Sequence, residues 1–305
     1  MDIMYYFLGI ALALAGAPLL SGIINCVKAF FAGRRGPSVF QLYYDMAKLL
    51  RKQPICSHTA TWIFQAGPSL VLVSTLCALI LLPQAGAGSP LGFTGDLFLF
   101  LYLCGTGRLF TVLAAMDTGS AFEGMGSSRE CQFALFGEGA FIAVFGTLSV
   151  KTGALTLDRM LTQASWTEQG TLGGVSLALL LVSLFCVVLL ECCRVPVDDP
   201  ETHLELTMIH EVMILDNSGY DLALTHYAAS LKMWMLLQVL ALIALPKVVF
   251  SESWLAVLCQ CAAVLFGAVL IGVIESIMGR SRFLKLPQML AAATVLALVA
   301  MILCR

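Results

Sequence analysis

Charge is what this chain has least of. Asp, Glu, Lys and Arg make up only 12 % of its 305 residues, against 59 % hydrophobic, whereas soluble chains carry about 25 % charged residues. With a mean hydropathy of +0.91, a soluble globular protein is excluded. The net charge of −2 says nothing about nucleic acid, and no basic block points to it as a partner. The eleven cysteines include no C-x-x-C pair, so zinc or iron–sulfur ligation by this chain is set aside. Cys192 and Cys193 are adjacent, a poor geometry for chelation, and Cys26, Cys77, Cys104, Cys186, Cys259, Cys261 and Cys304 lie in apolar runs. Buried small hydrophobes are the expectation for nearly all of them. P-loop, dinucleotide fingerprint and nucleophile triad are all missing. His210-Glu211 lacks the second histidine of a zinc-protease helix. His203 and His210 would stand about 10 Å apart along a helix axis, so a partner-facing role is expected for both rather than a metal. The chain has no cofactor signature of its own. If it serves redox chemistry, another subunit carries the electrons.

What is present is apolar length. A spanning helix needs about 20 mostly apolar residues, and eight stretches meet or approach that: 4–26, 66–82, 97–115, 133–150, 172–190, 231–249, 254–278 and 286–304. The first starts with Asp2 and no base and exceeds the apolar core of a secretory signal, so it reads as a retained span. There is neither an internal repeat nor a linker. The expected fold is all-α: one polytopic membrane domain over 1–305, with about eight transmembrane helices, an amphipathic surface helix and helical cytoplasmic loops.

Orientation follows the bases in the connections. The odd-numbered connections hold Arg34, Arg35, Lys48, Arg51, Lys52, Arg129, Arg194, Arg280, Arg282 and Lys285; the even-numbered ones hold Lys151, Arg159 and Lys247. The odd connections, about 31–65, 116–132, 191–225 and 279–286, are therefore expected on the cytoplasmic side and both termini on the other. Arg305 argues weakly against this. In the first connection, Phe40, Tyr43, Tyr44, Ala47 and Leu50 lie opposite Gln41, Asp45, Lys48 and Lys52. That pattern predicts an amphipathic surface helix, although a solvated face and a topology signal would produce it equally. Trp166, in the fourth connection, suits an interface anchor.

Charges inside apolar runs are costly and point to function by default. Arg108 lies within the third run and needs a partner, either Asp117 or the glutamates that follow. Glu138 enters the fourth run, on one face with Phe141 and Phe145. Glu275 ends the seventh run shortly before Arg280 and Arg282, so a structural ion pair competes with a functional reading.

One stretch gathers the charge. Residues 191–224 hold eight of the nineteen acidic residues. Glu191 ends an apolar run with Arg194 three residues on, close enough for an ion pair if the helix continues. Asp199-Pro200 reads as an N-cap and first position of a helix running to about Leu215. Glu201 and Glu205 share a face of it, while Glu211 joins the apolar side with Leu204, Met208 and Leu215. A carboxylate on such a side acquires a raised pKa and can exchange protons near neutrality. Glu138, Glu191, Asp198, Asp199, Glu201, Glu205, Glu211 and Glu275 thus make a candidate proton-transfer row, with Arg108 and Arg194 as charge partners. Solvated or ion-paired acids are the competing explanation, above all for Asp198, Asp216 and Asp221.

Three segments carry a resemblance: GRRGPSVFQLYYDMAKLLRKQP (33–54), ECCRVPVDDPETHLEL (191–206) and SRFLKLPQML (281–290). Together with the eight spans they resemble the family of the complex I quinone-chamber subunit over essentially the whole chain. The continuation THLELTMIHEVMILDNSGYDLAL is similar to the membrane-bound (group 4) nickel–iron hydrogenase branch, which includes formate hydrogenlyase and hydrogenase-4. At Thr225-His226-Tyr227 the sequence departs from the aromatic-rich stretch of the quinone-reducing branch. The resemblance implies a non-catalytic inner-membrane subunit. It would dock the hydrogenase large and small subunits and a ferredoxin-like iron–sulfur subunit, which would hold the nickel–iron centre and iron–sulfur clusters. Antiporter-like membrane subunits that move protons or sodium would adjoin it. By match, Glu191, Arg194, Asp198, Glu201 and Glu205 fall on the family's acidic motif, Glu138 on its intramembrane glutamate, and Arg34, Arg35 and Asp45 on its first-loop motif. Those loop residues, with Lys48, His203 and His210, are the expected partner interface. The rival expectations are a quinone-site subunit of an NADH:quinone oxidoreductase, a stand-alone ion transporter and a passive anchor.

Overall fold

In lipid, each spanning segment must satisfy its own backbone hydrogen bonds, which leaves a helix as the form available to an isolated apolar run. A computed structural model of the chain describes residues 2–57, 59–84, 87–162, 170–199, 208–245 and 253–304. Trp166, Pro200, Glu201, His203, Leu204, Glu205, Lys247 and Arg305, on which expectations were placed above, lie outside them. The described helices are α1 (Asp2–Phe31), α2 (Gln41–Leu49), α3 (Trp62–Leu81), α4 (Asp96–Asp117), α5 (Ala121–Thr152), α6 (Leu157–Thr162), α7 (Gly170–Glu191), α8 (His210–Met213), α9 (Gly219–Ala244), α10 (Ser253–Ile277) and α11 (Leu286–Leu303). Eight of these are long and apolar enough to cross a membrane: α1, α3, α4, α5, α7, α9, α10 and α11. The protein is an all-α, multi-pass membrane protein, and no β-sheet occurs among the described residues.

Helix α9 is the axis. Its spanning window is 72 % buried, whereas those of the other seven are 28–50 % buried. It packs on α1, α3, α7 and α10, while α11 lies against α5 and α7, and α3 against α4. The outer helices turn large apolar side chains such as Leu135, Phe266 and Ile302 outward, as a lipid-facing surface requires.

The connections gather at two ends. At one, Ser218 Oγ accepts from the Ile55 amide (2.7 Å), the Ser281 amide donates to the Pro196 carbonyl (2.9 Å) and Arg129 donates to the Met208 carbonyl (2.8 Å). The odd-numbered connections therefore form one joined surface. At the other end, Asp96 accepts from the Leu157 amide (2.7 Å), the Gln238 side chain donates to the Pro83 carbonyl (3.0 Å), and Tyr6 bonds the Ile80 carbonyl.

Two helices reach further into the charged end than hydropathy indicates. Residues 121–132, expected in a connection, are the first turns of α5. Gly126 serves packing rather than a turn: a Cβ there would come within 2.3 Å of Val212 Cγ1. Helix α9 begins at Gly219, well before residue 231. Its early turns carry Asp221, Thr225 and Ser230 on buried faces, so hydropathy under-reports a helix whose polar side faces protein. Gly219 has φ +56°, and a Cβ there would lie 2.7 Å from the Gln53 carbonyl, so only glycine fits this junction.

Candidate functional site

The site begins with how α7 ends. Cys193 takes φ +48°; its amide donates to the Leu190 carbonyl (3.0 Å) and the Arg194 amide to the Leu189 carbonyl (2.9 Å). This is the left-handed double-bonded helix stop usually made with glycine. It leaves Glu191 as the last helical residue and turns Arg194 away from it. The expected Glu191–Arg194 pair does not form. Glu191 instead takes Lys232 of α9 (2.6 Å) on one oxygen and Arg108 of α4 on the other.

Arg108 is the hub. Beyond Glu191, its guanidinium reaches Glu138 (2.6 Å) and Glu130 (3.5 Å), both on α5. Those two are eight residues apart, just over two turns, and so share a face. Four helices thus bring together two cations and three carboxylates. The Glu191 side chain is 6 % exposed and that of Glu138 54 % exposed, so the cluster runs from the interior to the outer face of α5. Asp117, the other proposed partner of Arg108, accepts from the Thr61 amide (2.6 Å) and hydroxyl (2.9 Å) at the start of α3.

Two further ion pairs fix the connection after α7. Arg194 approaches Glu275 of α10 (3.6 Å), which also meets Lys28 of α1 (3.3 Å). The expected pairing of Glu275 with Arg280 and Arg282 is therefore replaced. Arg280 goes to Asp198 (3.0 Å), whose carboxylate also accepts from the amides of Ile209 (2.8 Å), Asp199 (2.9 Å) and His210 (3.4 Å). Arg129 and Arg280 both stand over the Phe283 ring, at 5.0 and 5.2 Å. Asp198 and Asp221 are buried, not solvated. Burial raises the Asp198 carboxyl above its ordinary value, against the lowering by its amide donors and Arg280. Burial likewise pushes the Cys192 thiol up to about 12 and Cys193 well above 9.

The expected helix through Leu215 is, in its described part, the single turn α8. Leu215 is exposed, while Met208 and Val212 are buried. Glu211 and His210 border a small, partly open cavity rather than lying on a continuous helical face. Burial, with Lys232 and His226 nearby, drops the His210 imidazole to about 4. In α2 the apolar side chains Phe40, Tyr44 and Leu50 are uncovered; Tyr43 bonds the Ala15 carbonyl, Asp45 accepts from Gln41 (3.1 Å), and Lys48 is exposed. Arg34 and Arg35 border a basic surface cavity of about 430 Å³ with Lys28. The cysteines depart from expectation: Cys304 is buried, Cys77 and Cys131 are exposed, and the other eight are half-buried.

Glu130 is one of the glutamates expected to meet Arg108; Lys232 and Lys28 are members of these networks that the sequence reading passed over. Each is an ionisable residue in or beside an apolar run, the signal that singled out Arg108.

Two small, partly open cavities adjoin the cluster. One, about 80 Å³, is bordered by Arg108, Glu130, Glu191, His210 and Lys232. The other, about 120 Å³, is bordered by Arg194, Asp198, His210, Glu211 and His226. An open groove of about 830 Å³ between α4, α5, α7 and α9, walled by Phe98, Leu101, Phe141 and Phe145, also reaches Arg108, Glu138, Glu191 and Lys232. Among the described residues, no group of three or more His, Cys, Asp or Glu side chains is placed to hold a metal ion. The arrangement suits proton exchange: carboxylates spaced along a polar path, with their charge set by two shared cations.

Comparison with known proteins places the chain in a family. Residues 3–305 match the family described as NADH dehydrogenase. The chain is 28 % identical over 288 residues to formate hydrogenlyase subunit 4 of Escherichia coli K12, covering 92 % of each chain. It is 30 % identical over 272 residues to hydrogenase-4 component C of the same organism, covering 88 % of this chain and 84 % of that one. Among solved structures, a chain of the membrane-bound sulfane sulfur reductase, an archaeal respiratory membrane complex, has the same fold, with a TM-score of 0.82 at 17 % identity over 100 % of this chain and 99 % of that one.

Proposed function

The chain belongs to the NADH dehydrogenase family of complex-I-like membrane subunits, and from that premise we propose that it is the anchoring and coupling subunit of a membrane-bound hydrogenase. It docks a hydrogenase large and small subunit and a ferredoxin-like iron–sulfur subunit on the surface formed by the odd-numbered connections. That surface faces the cytoplasm of a cell with this protein in its inner membrane, and both termini face the other way. The nickel–iron centre and iron–sulfur clusters reside in the partners, and the chain is not catalytic alone. Two relatives whose names place them in hydrogenase systems support the branch.

The observation that carries the coupling role is the Arg108 cluster. A charge change at the docked redox subunit alters the field at Asp198 and Glu211, beneath the connections. Glu191 shares its charge between Arg108 and Lys232, so a shift of its carboxylate or of either cation redistributes the charge of the whole cluster. Glu138 carries the end of this network to the outer face of α5. A half-exposed carboxylate within a span is costly against lipid, so an antiporter-like membrane subunit covers that face and receives the proton or sodium displacement. Glu275 and Asp199 serve at the edges of the path.

Affinity purification of the tagged chain from its own membranes tests the reading. Nickel and iron co-purifying with hydrogen-oxidising or hydrogen-evolving activity is the expected result. A nickel-free complex that reduces quinone would transfer the chain to the quinone-reducing branch, and an isolated chain that transports ions unaided would remove it from both.

A further inference from the structure

The two smaller cavities, both partly open, have Cys192, Cys193, His210 and Ala229 in common. These residues are the partition between a chamber that holds the Arg108 cluster and one that opens beneath the connections. We propose that His210 is the proton-transfer residue of this partition, passing protons between the Asp198–Glu211 side and the Glu130–Glu191 side. The inference rests on the reading that these carboxylates move protons, and it names the step that joins them.

The other members of the partition do not suit the task. Ala229 has no proton to exchange. The thiols of Cys192 and Cys193 are pushed up by burial, to about 12 and well above 9, and so hold their protons. A neutral imidazole presents one N–H donor and one bare nitrogen. It accepts a proton on the bare nitrogen and releases the other from the opposite nitrogen, so a proton crosses, the tautomer exchanges and no electron moves. A ring flip then returns the bare nitrogen to the entry side, ready for the next proton.

The charged surroundings favour a ring that passes protons rather than keeps them. Lys232 and His226 face it from α9, Arg108 from α4, Glu130 from α5 and Glu191 from the end of α7, while Arg194, Asp198 and Glu211 border the second cavity. Burial first, and then Lys232 and the neighbouring His226, hold His210 neutral down to about pH 4, so the imidazolium is a short-lived species. Water occupies roughly 30 Å³ per molecule in the liquid. At about 80 and 120 Å³, each chamber has room for at least two waters among polar groups, which removes the need for direct contact between His210 and each carboxylate.

The test uses the intact complex in inverted membrane vesicles, with redox-driven proton movement followed by a pH-sensitive dye and turnover followed with an artificial electron acceptor. Side-chain proton transfer contributes about 10²–10⁴-fold. His210→Ala is expected to lower coupled proton movement at least about tenfold while acceptor-linked turnover persists. Added imidazole is expected to restore it, with the restored rate following the pKa of a series of substituted imidazoles. His210→Gln keeps much of the volume without a titratable ring. It decides the matter if the alanine variant assembles poorly: the same loss without imidazole rescue is expected. Wild-type proton movement in His210→Gln overturns the inference, as does a loss in His210→Ala that no imidazole restores. Glu191→Gln, measured in parallel, separates the two levels. Coupling lost in Glu191→Gln but intact in both His210 variants overturns the role of His210 alone. Coupling intact in all three overturns the carboxylate path itself.

Discussion

Removing Lys232 tests whether the charges around Glu191 behave as one unit. Lys232→Met keeps the length and apolar stem of the side chain but deletes the cation 2.6 Å from Glu191. Breaking a buried pair by removing one partner costs about 3–5 kcal/mol, because the other charge is left uncompensated. Glu191 is 6 % exposed but retains Arg108, which places the expected loss near the lower end, about 3 kcal/mol. Glu191→Gln strips both cations of a partner and is expected to cost a similar amount. In the double variant the remaining mismatch is smaller, so its loss should fall short of the sum of the singles by about 1–3 kcal/mol, the coupling found for residues in one ion network. Unfolding in mixed detergent micelles, followed by far-ultraviolet circular dichroism, gives the cycle directly. Losses that add to within about 0.5 kcal/mol, the range found for independent sites, would refute the claim that Glu191 couples α7 to α9.

Other perturbations address other parts of the molecule. Arg108→Met leaves three carboxylates without their shared cation and is expected to cost more than Lys232→Met in the same assay; Arg108→Met with Glu138→Gln should recover part of it. Gly126→Ala places a methyl where Val212 Cγ1 lies within 2.3 Å, so an overpacking loss of about 1–3 kcal/mol is expected, relieved by Val212→Ala. His210 is held neutral, with its value lowered from 6.5 to about 4. The unfolded chain therefore binds the extra proton first, and the contribution of His210 is present above pH 6.5 and lost as pH falls through about 4. The difference in melting temperature between wild type and His210→Gln should accordingly shrink across that window. The raised value of Asp198 acts in the opposite sense but is common to both proteins, so a difference that grows on acidification would contradict the placement of His210.

The spans were legible because hydropathy measures what a bilayer selects, and all eight apolar runs became helices. Arg108, Glu138 and Glu191 were legible for the converse reason, since a charge within or ending such a run needs an explanation. Lys232 carries the same signal, but it stood one residue inside the expected start of its span and was absorbed into the boundary. Pairing was not legible. Arg194, three residues from Glu191, was the natural partner while α7 was assumed to continue. The left-handed turn at Cys193 ends the helix there, and each charge then finds a partner at least 80 residues away in sequence. Glu123, buried and bonded to the Thr118 hydroxyl and the Asp216 amide, was hidden likewise. Its glycine- and serine-rich surroundings suggest a loop, whereas Gly126 is there to let Val212 approach. Sequence periodicity registers a polar face but not whether protein or water lies against it, which is why it leaves open whether Asp198 and Asp221 are solvated, ion-paired or functional, whereas both are buried and Asp198 is paired with Arg280.

The central claim is that the cluster on Arg108 links redox chemistry in a docked partner to ion movement in the membrane. The most direct measurement is the number of ions moved per electron transferred, in inverted vesicles from a strain carrying Glu191→Gln, with assembly of the complex verified on the same membranes. This ratio is expected to collapse while electron transfer to an artificial acceptor continues. A ratio equal to that of wild type would contradict it and leave the chain as a passive anchor.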